Sequence, residues 1–304
     1  MSLRPGPDAD PAHRAGHVAI IGRPNVGKST LLNRLVGCKL SITSRKPQTT
    51  RQRVTGIVTR PDAQVAFVDT PGYQTGHPSA LSRAMSRAAA ASLQEVDAVI
   101  WVVEALRCDA RDRAIEKLLP RRVPVVLAIN KIDRLRDKKP LLPFIERLAR
   151  EHDFAAVVPV SAARGTQVGA LLEAVAALLP EGPALYGEDE ITTASERFLA
   201  AELLREKLIR LLGEELPYAT AVEIERFKMV GSVRHIGAVI LVDKAGQKAI
   251  VIGRKGEKLK AVATQARQDM ERLFGGRVFL EVWVKVRRGW AADEAALRRL
   301  GYES

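Results

Sequence analysis

The 304-residue sequence holds only two cysteines, Cys38 and Cys108. Their separation matches neither a zinc-ligand spacing nor a disulfide framework, so a reducing cytosol is the expected setting. Long apolar runs are also missing. No stretch approaches the ~18–20 apolar residues that a membrane-spanning helix requires, and the first residues lack the apolar core of a secretion signal. Negative charge is the scarcer sign: 35 Asp and Glu stand against 48 Lys and Arg, a formal balance of +13. These shortages argue against a membrane-spanning protein and against a disulfide-stapled scaffold, and the excess of positive charge suggests a polyanionic partner. Apolar residues make up 46% of the chain at a mean hydropathy of -0.06, enough for ordinary buried cores. The length leaves room for about two domains.

The first sixteen residues are rich in Pro, Ala and Asp and are expected to be a disordered extension. The apolar run His17–Ile21 then leads into Gly22-Arg23-Pro24-Asn25-Val26-Gly27-Lys28-Ser29-Thr30, with a helical pattern over Leu31–Leu35 behind it. The spacing is G-x-x-x-x-G-K-[ST]. Two glycines let the backbone curl so that successive N–H groups face a phosphate. Lys28 can reach the β- and γ-phosphates, Ser29 can ligate Mg²⁺, and the positive end of the following helix points at the same anion.

Residues 37–53 are polar and basic without clear periodicity, which reads as a long functional loop. Thr49 or Thr50 in it could close onto a Mg²⁺ held at Ser29. Val54–Thr59 and Gln64–Asp69 read as strands, and the second runs into Asp69-Thr70-Pro71-Gly72. An acid at the end of a buried strand can hold Mg²⁺ through water, and the glycine can offer its N–H to a γ-phosphate. Further buried strands are expected at Asp97–Val103, Val123–Ile129 and Ala155–Val160, separated by helices. The second of these ends in Asn130-Lys131-Ile132-Asp133. The Asp133 carboxylate can accept from both N1–H and the exocyclic amine of guanine, whereas adenine would leave it unpaired. Asn130 and the Lys131 stem are expected to shape the base pocket, with the Ser161-Ala162 turn presenting an N–H to guanine O6. The alternation of strands and helices predicts a doubly wound α/β domain.

Residues 181–194 are acidic and Pro/Gly-rich, a linker by composition. Charge then separates sharply: residues 181–225 hold 4 Lys/Arg and 11 Asp/Glu, while residues 226–288 hold 15 and 5. An amphipathic helix is expected over Ser195–Leu212, then strands at Ala219–Met229 and Arg234–Val242. A helix then enters Gly253-Arg254-Lys255-Gly256 and a second helix leaves it, before a strand at Arg277–Val286. The glycines permit close approach to phosphates. Arg254, Lys255, Lys258 and Lys260 supply charge, and Ile250 and Ile252 would line a groove for bases.

GRPNVGKS, Thr50, DTPG and NKID stand in one order, closed by Ser161-Ala162, and across about residues 17–180 they resemble the small GTPases of the translation-factor-related class. The resemblance implies GTP/GDP as ligand. It implies Lys28 on the phosphates, Ser29, Thr50 and Asp69 around Mg²⁺, Gly72 sensing the γ-phosphate and Asp133 selecting guanine. Where Ras-like enzymes carry a water-orienting glutamine this chain has Tyr73, so slow intrinsic hydrolysis is expected. Class members with asparagine at the place of Asn25 often use a bound K⁺, which makes Asn25, with Lys28, Thr50 and Gly72, a candidate catalytic residue. The C-terminal order of helices and strands around G-x-x-G resembles a type II KH domain over residues 195–290, leaving residues 291–304 as a tail. With Lys46–Arg51 and Val282–Val286 added, residues 17–302 resemble the Era family of bacterial GTPases. That resemblance implies single-stranded RNA near the 3′ end of 16S rRNA as ligand and a role in assembling the small (30S) ribosomal subunit. It also implies a cytoplasmic protein found partly at the inner face of the cell membrane. A monomer is expected.

Overall fold

The computed structural model describes residues 13–44, 49–72, 80–212 and 220–290. They fall into two compact units. Of the described residues, the first unit takes 13–37, 55–69 and 91–193, and the second takes the rest.

The first unit is built on β1 (Arg14–Ile21), α1 (Lys28–Val36), β2 (Val54–Thr59) and β3 (Ala63–Asp69). After α2 (Ala80–Ala91), most of which groups with the second unit, come β4 (Ala98–Glu104), α3 (Ala110–Glu116), β5 (Val125–Asn130), α4 (Leu141–Ala149), β6 (Ala156–Pro159) and α5 (Val168–Ala176). The six strands form one sheet in the order β2-β3-β1-β4-β5-β6, with β3, β1, β4, β5 and β6 mutually parallel. Every residue of β3 and β5 is buried, as expected of strands covered on both faces. The chain steps from β1 outward to β3, then returns across β1 to β4, β5 and β6. Right-handed crossovers therefore put α1 on one face and α3 and α4 on the other, and α5 packs beside α1. This reversal opens a crevice at the carboxyl ends of the strands, where all the candidate nucleotide motifs of this unit lie.

Two boundaries differ from the expectation, for one reason. β1 begins at Arg14 and not at His17, and residues 181–193 group with the first unit instead of forming a free linker. Arg14 N donates to Asp62 O (3.1 Å), Ala15 N to Pro180 O (3.1 Å) and Gly182 N to His13 O (2.9 Å). Gln64, fully buried in β3, accepts at Oε1 from Leu185 N (2.7 Å) and Tyr186 N (2.8 Å) and donates to Tyr186 O. Further along, Ile57 N donates to Ile191 O (2.9 Å) and Thr192 Oγ1 to Thr55 O (2.6 Å). Local composition carries no sign of such long-range partners. Helix α3 starts after Asp109, whose Oδ1 accepts from Arg111 N (2.9 Å) while Asp112 Oδ2 accepts from Asp109 N (3.1 Å), a reciprocal cap.

In the second unit the order is α6 (Glu196–Leu211), β7 (Thr220–Val230), β8 (Val233–Val242), α7 (Ala245–Ile252), α8 (Glu257–Phe274) and β9 (Arg277–Val286). Ser195 caps α6, its Oγ accepting from Phe198 N at 3.2 Å. β7 pairs antiparallel and β9 parallel with the central β8, and a bulge interrupts β7 between Ile224 and Arg226. Leu203, Leu204 and Leu208 of α6 meet Ile236 and Ile240 of β8 and Val262 and Ala266 of α8 in one buried cluster. This helix–strand–strand–helix–helix–strand order is that of a type II KH domain.

The basic loop after α1 also differs from a plain surface loop, because its described part groups with this unit. Buried Arg205 donates to Thr49 O (2.5 Å) and is paired with Glu202 (2.6 Å). Arg51 donates to Thr220 O (3.1 Å), and Lys39 pairs with Asp269 (2.6 Å) and Glu206. Lys207 reaches the same Asp269 at 2.5 Å. Burial disfavours the Asp269 charge, but its two lysines more than offset this and hold the carboxyl below its usual range.

Since Leu204 is fully buried in the α6–β8–α8 cluster, Leu204→Ala is expected to destabilise this unit by about 2–5 kcal/mol. Segment-resolved hydrogen exchange should then show faster opening of α6, β8 and α8 with β4 and β5 unchanged.

Candidate functional site

The phosphate-loop candidate leaves β1 at Ile21 and enters α1 through Gly27, whose φ of 107° suits glycine. A Cβ there would also strike the Asn130 amide. Asn25, at the exposed crown of the loop, is left-handed as well (φ 64°), and Val26 is buried beneath it. No acid lies in the first turn of α1, so its N-terminal N–H groups keep their affinity for an anion. Lys28 is buried, and its Nζ donates to Gly22 O (2.9 Å) and Arg23 O (3.2 Å). Burial pushes its pKa down to about 8; Asp69 offsets this only in part, and Arg23 adds to it. Ser29 Oγ donates to Asp69 Oδ2 at 2.7 Å, so a hydroxyl and a carboxylate lie side by side. Hard oxygen donors so arranged fit Mg²⁺. Thr30 follows in α1, half-buried.

The four residues of Asn130-Lys131-Ile132-Asp133 take distinct parts. Asn130, almost fully buried, donates through Nδ2 to Val26 O (2.8 Å) and accepts at Oδ1 from Ala162 N (3.0 Å). It ties the phosphate loop to the Ser161-Ala162 turn. Within that turn it is the Ala162 N–H that Asn130 engages. Ser161 Oγ donates to Asp133 Oδ1 (2.6 Å) and accepts from Arg164 N (3.1 Å), which fixes one carboxylate oxygen. Lys131 is left-handed (φ 69°), and Ile132–Arg134 form a short 3-10 turn with Ile132 buried.

Three residues absent from the sequence reading complete this crevice. Glu104, the last residue of β4, accepts from Lys131 Nζ (2.7 Å) and Arg23 Nη2 (3.2 Å). Burial works against its charge, but Lys131 first and Arg23 and Arg107 after it hold the carboxyl below its usual range. Asp112 on α3 takes the other side of Arg23 at 3.2 Å; it is fully buried, and burial raises its pKa. Arg34 on α1 donates to Ala162 O (3.3 Å) and Ala163 O (2.7 Å), bracing the base turn. An acid closing a continuous apolar strand was the one available signal for Glu104. Of the other expected residues, Thr50 and Thr70-Pro71-Gly72 group with the second unit, and Tyr73 lies outside the described residues.

The second candidate site is the bend between α7 and α8. Gln247 Oε1 caps α7 by accepting from Asp243 N (2.9 Å) and Lys244 N (3.0 Å). Gly253 (φ 75°) ends the helix with the Lys258 stem packed against it, and a Cβ would come 2.7 Å from Lys258 Cγ. Lys255 (φ 50°) and Gly256 (φ 81°) turn the chain into α8. Arg254, Lys255, Lys258 and Lys260 are all exposed, and none forms an ion pair among the described residues. Ile250 is exposed and Ile252 half-buried beside them. A backbone bend ringed by four cations beside apolar side chains suits a phosphodiester chain with bases on one side.

The family model described as "50S ribosome-binding GTPase" matches residues 17–131, and the KH domain model matches residues 215–291. GTPase Era of Nitrosomonas eutropha is 55% identical over 291 residues, covering 96% of this chain and 98% of that one. The chain belongs to the Era family of GTPases. GTPase Era of Stenotrophomonas maltophilia is 56% identical at the same coverage. The crystal structure of Era with MgGDPNP and nucleotides 1506–1542 of 16S ribosomal RNA superposes with a TM-score of 0.92 at 40% identity, covering 96% of this chain and all of that one. An Aquifex aeolicus Era variant bound to GDP·AlF4⁻ gives the same TM-score at 39% identity. As a member of the Era family, the chain is a GTPase, with a P-loop GTPase unit and a KH unit.

The Lys28 environment makes a pH prediction. Its ammonium is disfavoured in the free site, and phosphate charge restores it, so binding takes up a proton when the pH lies above about 8. Calorimetry of GDP binding at about pH 9, in buffers of different ionisation enthalpy, should show uptake of up to about one proton. Affinity should fall as pH rises through about 8. Proton release, or affinity that rises with pH, contradicts the assignment of Lys28 to the phosphates.

Proposed function

We propose that this Era-family GTPase is a guanine-nucleotide switch that grips single-stranded RNA near the 3′ end of 16S rRNA and assists assembly of the 30S subunit. The observation that carries the reading is one chain holding both a Ser29–Asp69 oxygen pair beneath a phosphate loop and an uncompensated cationic bend at Gly253–Gly256. Residues 22–30, with Asp69, Thr70, Pro71, Gly72 and Tyr73, hold the phosphates. Asn130, Lys131, Ile132, Asp133, Ser161 and Ala162 form the base side. Ser29, Thr50 and Asp69 hold Mg²⁺, which when bound neutralises charge on the β- and γ-phosphates. Lys28 and the α1 N-terminus add fixed positive charge, and Gly72 answers to the γ-phosphate.

Tyr73 cannot orient water as an amide does, so hydrolysis is slow without help. Asn25, exposed and left-handed at the loop crown, would ligate a K⁺ that supplies the missing positive charge. Arg254, Lys255, Lys258 and Lys260 bind RNA phosphates, while Ile250 and Ile252 receive bases. No helix of the described residues is long and apolar enough to cross a membrane; peripheral contact with the inner face of the cell membrane rests on the family resemblance.

Affinity for a short 3′-end 16S RNA should be highest with a GTP analogue and lower with GDP or no nucleotide. Three equal affinities leave a constitutive RNA-binding module with no switch. Replacing Lys255 by Ala should weaken binding of every sequence alike and reduce the slope of log K against log salt by roughly one phosphate's worth. Turnover should be faster in K⁺ than in Na⁺, and Asn25→Ala should erase the difference; identical rates in the two salts for the unmodified chain eliminate the K⁺ role.

A further inference from the structure

We propose that Glu104 is a positioning residue that sets the phosphate loop and the guanine loop in a common register, an inference that rests on the guanine-nucleotide reading of the site. Glu104 ends β4, the strand between β1, which feeds the phosphate loop, and β5, which feeds Asn130–Asp133. In the β4–β5 ladder it pairs directly with Asn130. Its Oε2 is shared by a cation from each loop, Arg23 Nη2 at 3.2 Å and Lys131 Nζ at 2.7 Å.

Both loops need holding. Lys131 has a left-handed backbone (φ 69°, ψ 29°), which a non-glycine residue keeps only when its surroundings fix it. Arg23 lies in the loop whose carbonyls hold Lys28, and its guanidinium is buried between Glu104 and Asp112. Asp112 is itself anchored by the cap of α3, and its Oδ1 has no hydrogen-bond partner among the described residues. Arg23 and Lys131 thus balance Glu104 and Asp112, two cations against two carboxylates in a crevice where an unpaired charge is costly. Take away the Glu104 charge and Lys131 loses its only ion pair among the described residues, while Arg23 keeps Asp112 alone. The Asn130–Val26 bond still joins the two loops, but their charged tie is lost and their register loosens. Both halves of the site suffer together, although Glu104 is a hydrogen-bonding partner of the loops and not a group expected to touch nucleotide.

The test compares Glu104→Gln with the unmodified full-length chain in stopped-flow release of a fluorescent GDP, in competition between GDP and IDP, and in steady-state hydrolysis. Inosine lacks the exocyclic amine that Asp133 accepts, so the GDP/IDP ratio reports the base loop, which a general loss of stability does not change. Release should quicken by about three- to thirtyfold, the range for residues that couple sites. The GDP preference should shrink by at least about threefold, with kcat/KM for GTP falling by a similar factor. Asp112→Asn, which loosens Arg23 alone, should quicken release without changing the preference. Release and preference both within about twofold of the unmodified chain overturn the proposal. Should Glu104→Gln fail to fold by circular dichroism, Glu104→Asp, which keeps the charge one methylene short, is expected to fold and to show both changes at smaller size; no change there also overturns it. If the unmodified chain fails to bind GDP, the guanine reading itself falls.

Discussion

The Asn130 carboxamide makes one hydrogen bond to Val26 O and receives one from Ala162 N, and it does so almost fully buried. A buried amide with both ends satisfied is stiff, because breaking either bond strands a polar group out of reach of water. Three segments far apart in sequence are thereby fixed: the phosphate loop, the end of β5 and the turn after β6. The same amide explains why residue 27 is glycine, since any side chain there would occupy the amide's place. The crevice of a doubly wound sheet supplies only a location; the Asn130 cross-tie gives that location a definite shape.

Much of this was legible from the chain alone. The G-x-x-x-x-G-K-[ST] spacing, the acid ending β3 and the NKID run each follow an apolar strand, and periodicity placed those strands within a few residues. β9 was located at Arg277–Val286 to the residue. What could not be read were pairings between distant charges and backbones. Nothing local marks Arg34 as the brace of Ala162 and Ala163, or Asp112 as the partner of Arg23. Proline, glycine and acids over residues 181–194 read as a linker because composition records propensity and not partnership. The Asn130–Ala162 bond likewise joins two motifs whose contact no local pattern records.

The second unit shows the same limit in its helices. α6 carries Glu202, Arg205, Glu206 and Lys207 on buried surface, which periodicity alone would count against a packed helix. Glu202 pairs with Arg205 inside the helix, while Arg205, Glu206 and Lys207 find partners at Thr49, Lys39 and Asp269, so the charges are balanced across elements. Such clusters add little net stability over apolar packing, yet they are unforgiving of a lost partner. They therefore specify which loop lies against which helix more than they strengthen the fold. The cationic bend at Gly253–Gly256 is the contrary case: its charges have no protein partners among those described, and that imbalance is what marks it as a surface for a polyanion.

The acidic segment at 181–193 has a bearing on solubility. β2 is the edge strand of the six-stranded sheet, and an open edge invites pairing with another chain. Ile191 and Thr192 take up β2 backbone groups at Ile57, Gly56 and Thr55. Glu188, Asp189 and Glu190 place exposed negative charge just before that contact. The segment works as a selvedge: it takes up backbone groups along the middle of that margin and lays negative charge beside them, so a second molecule meets a covered and charged edge there.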